Sequence, residues 1–465
     1  MFTITTKINI PKILENILKN LQELGARPIL VGGCVRDYFL NKEIKDFDIE
    51  IFDFDSLELL EISLKKFGNV KLVGKSFGVL TLKVEGYDFD FALPRIEKKV
   101  GNSHTDFEVI TNSNLSFEEA AIRRDFTINA IGYDYFKDEF IDPFNGIDDL
   151  KNRTLKHIDE KTFVEDSLRV YRAVQFAARF EFNLDENTKE LCKKIVLSDE
   201  LSYLPKERIY EEFKKLFLKS SKPSVGFELL RELGVLKYFP ELQALINCKQ
   251  EPEYHPEGDV WIHTLMCLDE LAKILEKEKI EDEYKKLYLF YAVLCHDFGK
   301  PFCTKEINGK ITSYKHESLG IEPTISFLEK LTNEKKFIEI VCSLVKNHLI
   351  PFQLYLSHSS EKAVKRLSLK VNIEDLCFVC LSDCLGRDLD DKCKCYDAIN
   401  WLNEKAKELE IHNEPIKQLV LGRDLIALGY KPSKEFKEIL EFAFDLQIDE
   451  NLSKEEILNK ITNKY

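Results

Sequence analysis

Two aspartates one residue apart, Asp46 and Asp48, stand in the apolar stretch Lys45-Asp-Phe-Asp-Ile-Glu-Ile-Phe52. Residues two apart on a strand point to the same face, so a strand here presents two carboxylates side by side. Hard divalent cations such as Mg2+ take oxygen ligands of this kind, usually one or two carboxylates completed by substrate phosphates. Upstream, the apolar run Ile29-Leu-Val31 ends in Gly32-Gly33 and leads into a helix-forming segment, Cys34 to Leu40. A glycine turn at a helix start leaves backbone amides free, and the helix dipole favours an anion there. Arg36, one turn further on, is placed to clamp a triphosphate oxygen as a fixed cation. Strand, glycine turn, helix and paired carboxylates, in this order, point to metal-assisted nucleotidyl transfer.

Other segments carry chemistry of their own. Tyr87-Asp-Phe-Asp-Phe-Ala92 alternates, setting Tyr87, Phe89 and Phe91 on one face and Asp88 and Asp90 on the other. Phe163 to Phe180 reads as one helix with Asp166, Arg169 and Arg172 at i, i+3 and i+6, roughly along one face. Residues 255–390 hold six of the nine histidines. Among them are Trp261-Ile-His-Thr-Leu265, Leu294-Cys-His-Asp-Phe-Gly-Lys300, His316 and Lys346-Asn-His348, and Leu381-Ser-Asp383 follows. An adjacent His-Asp pair after an apolar run and before Gly-Lys is a specific arrangement.

The elements that must position these residues are legible in part. Residues 11–25 pattern as an amphipathic helix opened by Pro11 and closed by Gly25. Val70–Val73, Val79–Val84 and Tyr87–Ala92 pattern as short strands. Residues 97–114 lack periodicity and predict a flexible loop. Ser116 with Glu119 makes a capping box, and the helix it starts is expected to carry Arg123-Arg-Asp-Phe-Thr-Ile-Asn-Ala-Ile131. From about residue 151 the chain turns helical.

A chain of 465 residues supports two to four domains. Its 44% hydrophobic and 32% charged content describe a globular protein. No charged region precedes an apolar core at the N-terminus and no apolar run approaches a membrane span, so secretion and membrane insertion are not expected. The twelve cysteines show no disulfide framework, and Cys393-Lys-Cys395 lacks a second pair at zinc-finger spacing. Reduced thiols in a cytoplasmic protein are the expectation. The net charge of −14 argues against indiscriminate coating of nucleic acid, although residues 151–225 carry 16 basic against 13 acidic residues.

The Gly-Gly and Asp-x-Asp pattern resembles the polymerase-beta-like nucleotidyltransferase superfamily. The form Gly32-Gly-x-Val-Arg-Asp37 followed by Lys45-Asp-x-Asp48 is similar, more narrowly, to the bacterial tRNA nucleotidyltransferases and poly(A) polymerases. Arg123-Arg-Asp-Phe-Thr-x-Asn-Ala130 and Ile141-Asp-Pro-Phe-Asn-Gly-Ile-Asp-Asp-Leu150 match further motifs of that family. The resemblance implies that Asp46 and Asp48 hold two Mg2+ ions and that Gly32, Gly33, Arg36 and Arg124 cradle the triphosphate. It also places Asp125 close to the catalytic carboxylates and a third carboxylate on a later strand, for which Asp90 is the better candidate. Glu165-Asp-Ser-Leu-Arg169 resembles the segment that reads the incoming base, so Asp166, Arg169 and Arg172 are nucleotide-binding candidates. Asp and Arg side chains can hydrogen-bond the Watson–Crick edge of cytosine or adenine. Where relatives commonly carry a third arginine, this chain has Gln175. The segment Pro205 to Leu216 resembles the next family element, with Lys206, Arg208, Lys214 and Lys215 as candidate contacts to the tRNA backbone.

The second half resembles the HD metal-dependent phosphohydrolases, whose ligands would be His263, His296, Asp297 and Asp383. Imidazole and carboxylate suit several divalent transition metals, so the ion is unnamed. His316 and His348 complete a second metal position, bind phosphate, or are structural. The implied fold is α+β. A polymerase-beta-like mixed sheet with helices (1–150) is followed by an all-α neck (151–240), an all-α HD domain (241–390) and a helical tail (391–465). The implied activity is addition or repair of the 3′-terminal CCA of tRNA from CTP and ATP, with an additional phosphohydrolase. Poly(A) polymerase, CC-only or A-only addition, and an HD hydrolase with an RNA-binding first half stay open, as does the oligomeric state.

Overall fold

The computed structural model describes residues 7–73, 78–99, 107–389, 392–431 and 434–465. The chain divides into two compact units, residues 1–220 with 225–238 and residues 221–224 with 239–465.

The first unit opens with helix α1 (Lys12–Glu23), which buries Leu14, Ile17, Leu18 and Leu21 along one face. β1 (Arg27–Val31), α2 (Gly33–Phe39), β2 (Asp46–Phe52) and α3 (Leu57–Leu64) follow, and then β3 (Val70–Val73), β4 (Val79–Val84) and β5 (Tyr87–Ala92). After these come β6 (Arg95–Lys99), β7 (Phe107–Thr111), α4 (Phe117–Ala121), β8 (Gly132–Asp134) and β9 (Glu139–Ile141). Seven strands form a mixed sheet in the order β3-β4-β5-β2-β1-β8-β9. At its centre β2 pairs antiparallel with β1 and parallel with β5. The alternation along β2 and β5 has the predicted consequence: Phe47, Ile49, Phe89 and Phe91 are buried, while the aspartates face the other way.

The helical part of this unit comprises α5 (Gly146–Lys151), α6 (Glu160–Glu165), α7 (Arg169–Phe180), α8 (Glu186–Leu197) and α9 (Lys206–Lys219). Its core is aromatic: Phe213, Phe217 and Phe227 are buried against one another.

Three local expectations are corrected. Residues 97–114 are not all loop: β6 and β7 pair as an antiparallel hairpin from Arg95↔Thr111 to Lys99↔Phe107, and residues 100–106 lie outside the described set. The Phe, Val, Ile and Thr of β7 are good strand formers. The helix begun at Ser116 has the capping box but stops at Ala121. Asp125 turns its carboxylate onto the next backbone N–H, that of Phe126, at 2.8 Å, and the Thr127 N–H bonds the Lys156 carbonyl at 2.9 Å. Such bonds compete with the helical ladder. The long helix over 163–180 is broken at Asp166, which is extended (φ −120°, ψ 97°). Its carboxylate accepts from the Leu168 N–H at 3.2 Å and its carbonyl accepts from Arg169 N–H at 3.0 Å, so it ends α6 and starts α7.

The second unit is helical apart from a small hairpin, Lys305–Ile307 with Lys310–Thr312. The Val260–Lys277, Glu283–Cys295, Lys335–Asn347 and Ile373–Leu385 helices bury Trp261, Leu271, Tyr291 and Phe298. Residues from Val420 onward form a separate small core of Leu425, Ile439, Ala443, Ile457 and Ile461. The expectation of reduced thiols throughout fails at one place. Cys384 and Cys395 are joined by a disulfide. The Ile373–Leu385 helix and the one starting at Cys393 bring those Cα atoms to 5.7 Å; spacing along the chain could not show this. Among the described residues no helix is long and apolar enough to cross a membrane.

Candidate functional site

In the first unit, Asp46 and Asp48 project from one face of β2, as their spacing predicts, and both are open to solvent. The parallel pairing with β5 sets Asp48 directly beside Asp90 and Asp46 beside Asp88. Asp88 is ion-paired to Lys83, whereas Asp90 accepts only the Thr81 hydroxyl, at 2.6 Å, among the bonds described. By position Asp90, and not Asp88, stands with Asp46 and Asp48 as the candidate third carboxylate. Although Asp48 is open along one edge, protein surrounds its carboxyl and pushes its pKa up; Arg124 opposes the rise and the charge of Asp90 adds to it. Carboxylates gathered this closely are suited to a divalent cation.

Gly32 stands at φ +70°, a conformation that glycine adopts without strain. A Cβ there would lie 3.0 Å from Asp48 Oδ2 and 3.2 Å from Arg124 Nη1, so this turn lets backbone, carboxylate and guanidinium approach one another. Glu50, two residues beyond Asp48 on the same face, is buried and holds Arg123 at 2.8 Å and Arg124 at 3.4 Å. The Asp46-x-Asp48-x-Glu50 alternation carries that signal in the sequence.

Arg36 departs from the expected open clamp. It is 4% exposed; it pairs with Asp37 at 2.8 Å, donates to Asn129 Oδ1 at 2.7 Å and lies over the rings of Phe176 and Phe180. Asn129 in turn donates to Asp125 at 2.9 Å. Asp125 is buried, and Arg172 reaches its other oxygen at 2.6 Å. Burial alone would raise the Asp125 pKa, but Arg172, Asn129 and Arg169 outweigh it and hold the carboxyl below its usual range. The chain Arg36–Asn129–Asp125–Arg172 thus ties α2 to α7. In this arrangement Asp125 positions its neighbours.

The trio Asp166, Arg169 and Arg172 is only partly on one helix face, because Asp166 lies in the break between α6 and α7. Asp166 pairs with Arg208 at 3.0 Å, so Arg208 sits against the expected base-reading residue instead of standing free for RNA. Arg169 donates to the Thr162 and Arg123 carbonyls at 2.8 and 2.5 Å. Gln175 is buried at 1% exposure, and its Nε2 has no hydrogen-bond partner among the described residues. On α9, Lys215 pairs with Glu212 at 2.7 Å, and Lys206 and Lys214 lie on the same helix.

A basic cluster forms that no linear motif marks. Arg36, Lys42 and Arg179 all approach the Phe180 ring within 4.9 Å of its centroid. Burial and then the charge of Arg179 lower the pKa of both Lys42 and Lys219; burial and Arg36 lower that of Arg179. Asp46 acts on Lys219 in the opposite sense. Mutually repelling cations next to the carboxylate face suit a polyanion. They come from the ends of α2, α7 and α9, so no linear pattern revealed them.

In the second unit the four expected ligands converge. His263 Nε2 lies 3.2 Å from Asp383 Oδ1 and 3.9 Å from Asp297 Oδ2, and His296 Nε2 lies 3.2 Å from Asp297 Oδ2. His316 and His348 join them, with Nε2 atoms 3.2 Å apart and His316 Nε2 3.3 Å from Asp297 Oδ1. Every Nδ1 is already occupied. That of His263 faces Glu257 at 2.9 Å, and those of His296, His316 and His348 face backbone carbonyls at 2.6–2.8 Å. Engaging Nδ1 sets the tautomer and turns Nε2 inward, the arrangement typical of metal-ligating histidines. His296 Nε2 and both Asp297 oxygens are buried, facing one another and, for Asp297, the Lys300 ammonium at 2.7 Å, and the donors form groups that could hold a metal ion. The residues fit a divalent transition metal. Burial lowers the His348 pKa to about 3, and the charges of His296 and His316 add to the drop; a neutral imidazole is the ligating form. A cleft of about 320 Å³ opens onto this centre, with Lys300 and Arg387 in its wall and Tyr254 and Tyr314 at its rim.

Fold and site define a nucleotidyltransferase head joined to an HD-type metal centre, and comparison with known proteins agrees. Family models match as Poly A polymerase head domain (residues 29–156), "Probable RNA and SrmB- binding site of polymerase A" (181–246) and HD domain (260–388). A multifunctional CCA protein of Mannheimia succiniciproducens is 35% identical over 376 residues, covering 77% of this chain and 84% of that protein. Another, from Acinetobacter baumannii strain SDF, is 32% identical over 424 residues, covering 88% and 97%. A Thermotoga maritima CCA-adding enzyme solved in complex with tRNA shares the fold (TM-score 0.58, 22% identity, 98% of this chain and 96% of that one). The chain belongs to the multifunctional CCA protein family.

Proposed function

We propose that this protein adds or repairs the 3′-terminal CCA of tRNA from CTP and ATP, and that its second unit is a metal-dependent phosphohydrolase. The observation that carries the first part is the in-register placement of Asp48 and Asp90 beside Asp46, next to a glycine turn closed over by Arg124. Asp46, Asp48 and Asp90 would hold Mg2+, which supplies charge neutralisation at the attacking hydroxyl and the departing pyrophosphate. Gly32 and Gly33 would offer backbone amides to phosphate, the Gly33 N–H giving up its present bond to Asp48. Arg124, braced by Glu50, faces the same recess, and Arg36 and Asp125 keep α2 and α7 in register with it. Asp166, Arg169 and Arg172 read the base in this account, which requires their present ion pairs and carbonyl bonds to open on nucleotide binding. The cluster of Lys42, Arg179 and Lys219 complements phosphates, together with Lys206, Lys214 and Lys215.

In the second unit His263, His296, Asp297 and Asp383 would hold a divalent transition metal, with His316 and His348 beside Asp297 for a second ion. Such an ion supplies water activation and polarisation of a phosphoryl oxygen. Lys300 and Arg387 offer the cleft two cations for a phosphoester.

The division into head (1–150), neck (151–240), HD domain (241–390) and tail (391–465) is retained as part of this reading. So is a cytoplasmic location with the tRNA substrate, which buried free thiols such as Cys34, Cys192 and Cys295 fit.

The test is incubation with tRNA ending before CCA, each nucleotide singly and then CTP with ATP, with products resolved to single nucleotides. Addition of C, C and A followed by arrest is expected. Unlimited A addition would mean a poly(A) polymerase, and arrest after CC, or A added only to a CC end, a partial enzyme. Asp46→Ala and Asp48→Ala are each expected to lower the rate at least about a hundredfold; near-normal turnover would overturn the site.

A further inference from the structure

We propose that Glu50 is a positioning residue for the incoming nucleotide: it fixes Arg123 as an anchor and leaves Arg124 able to turn to the triphosphate. This rests on the reading that nucleotide phosphates lie at the Gly32 turn beside Arg124. Glu50 follows Asp48 on the carboxylate face of β2 but is buried. It stands across from Ile29 on β1 and Ala92 on β5, and neither side chain can hydrogen-bond a carboxylate. A buried charge without partners is costly, so its partners come from elsewhere in the chain. They come from the turn after α4. That helix stops at Ala121, the Arg124 N–H bonds the Ala121 carbonyl at 2.9 Å, and two successive guanidiniums reach back to one carboxylate.

The two arginines are held unequally. Arg123 Nη2 donates to Glu50 Oε1 at 2.8 Å, and the Arg123 carbonyl accepts from Arg169 Nη2 at 2.5 Å. Arg123 is thus committed through both side chain and backbone. Arg124 makes two long bonds, from Nη2 to Glu50 Oε2 and from Nη1 to the Asn129 carbonyl, each 3.4 Å. Its Nε has no partner among the described residues, and its Nη1 lies 3.2 Å from the place of a Gly32 Cβ. Arg124 is the cation with hydrogen-bonding capacity to spare, at the turn where the phosphates are placed. Two like charges on successive residues repel; the carboxylate between them balances one and leaves the other for the nucleotide. A charge-assisted bond to a phosphate oxygen is shorter and stronger than the contacts Arg124 now makes. Because the triphosphate is common to CTP and ATP, Glu50 acts on both alike.

The test is steady-state kinetics of CTP addition to tRNA ending before CCA and of ATP addition to tRNA ending in CC. The unaltered protein is compared with Glu50→Gln, Glu50→Asp, Arg124→Ala and the Glu50→Gln, Arg124→Ala double variant, with circular dichroism as the folding control. Glu50→Gln keeps the shape and removes the charge. Glu50→Asp keeps the charge but withdraws it by one methylene, so the long Arg124 contact goes first. Both are expected to raise KM for CTP and ATP by a common factor, at least about tenfold for Glu50→Gln, with kcat changed less. In the Arg124→Ala background, Glu50→Gln is expected to add less than about twofold, because the cation it positions is gone. Unchanged KM in the Glu50 variants, with KM raised by Arg124→Ala, overturns the positioning role and leaves Arg124 at the phosphates. KM unaltered by Arg124→Ala overturns that reading and this proposal together. Full multiplication of the two factors in the double variant, a rise confined to one nucleotide, or a fall in kcat alone also overturns the positioning role. If Glu50→Gln does not fold, Glu50→Asp, alone and with Arg124→Ala, decides by the same criteria.

Discussion

Asp125 shows how one carboxylate can serve a catalytic face without standing on it. Both its oxygens are engaged, by Arg172 and by Asn129 together with the Phe126 N–H. Asp125→Asn leaves the Arg172 guanidinium half-buried without its counter-charge, so a loss of about 3 kcal/mol is expected, measured by denaturant unfolding. The sign of its pH dependence follows from the depressed folded pKa. The contribution is fully present above the unfolded value, about 4, and is lost as pH falls through the lower folded value. Wild type and variant should therefore converge in stability only below about pH 4; convergence already near neutrality would refute the pairing. Asp48 behaves oppositely. Its pKa is raised, so protons compete with a bound cation at a higher pH than at an ordinary carboxylate. The acid limb of the rate profile should move when Asp90→Asn removes the neighbouring charge.

At the scale of elements, the join between β1 and α2 carries the greatest constraint. Gly32 sits at φ +70° with Asp48 and Arg124 pressed against the place of a Cβ. Gly32→Ala is expected to cost about 1–3 kcal/mol in backbone strain and to lower nucleotide addition at least about tenfold, because the carboxylate must move; a thermal melt and steady-state kinetics check both. The ends of α2, α7 and α9 converge in a different way, bringing Lys42, Arg179 and Lys219 together. If phosphates of RNA lie there, Lys42→Ala and Lys219→Ala each reduce the slope of log affinity for tRNA against log salt by about 1. An unchanged slope with a raised KM for nucleotide would place the triphosphate there instead.

For the whole molecule, two sets of metal-suited residues in two compact units predict two separable activities. His296→Ala with Asp297→Ala is expected to abolish hydrolysis of phosphoesters and keep nucleotide addition, and Asp46→Ala should do the reverse. Loss of both activities in either variant would contradict separability.

The sequence by itself determined whatever depends on period and local order. The β2 alternation set Asp46 and Asp48 on one face, the capping box began α4, and the order of motifs marked out the catalytic face and the His-Asp centre. Tertiary structure decided which groups are free to act. The sequence named Asp90 as the better third carboxylate, and the parallel pairing of β2 with β5 supplies the reason, setting it beside Asp48 while Asp88 is taken by Lys83. Only packing buries Arg36 and engages Arg169 on backbone carbonyls, where the sequence suggested open cations. Breaks at Ala121 and Asp166 follow from side chains bonding to nearby backbone, a competition that periodicity does not register. Glu257 and the Cys384–Cys395 bond are read from neighbours that only the fold brings together. A linear pattern records which donors exist; which of them meet depends on contacts between elements far apart in sequence.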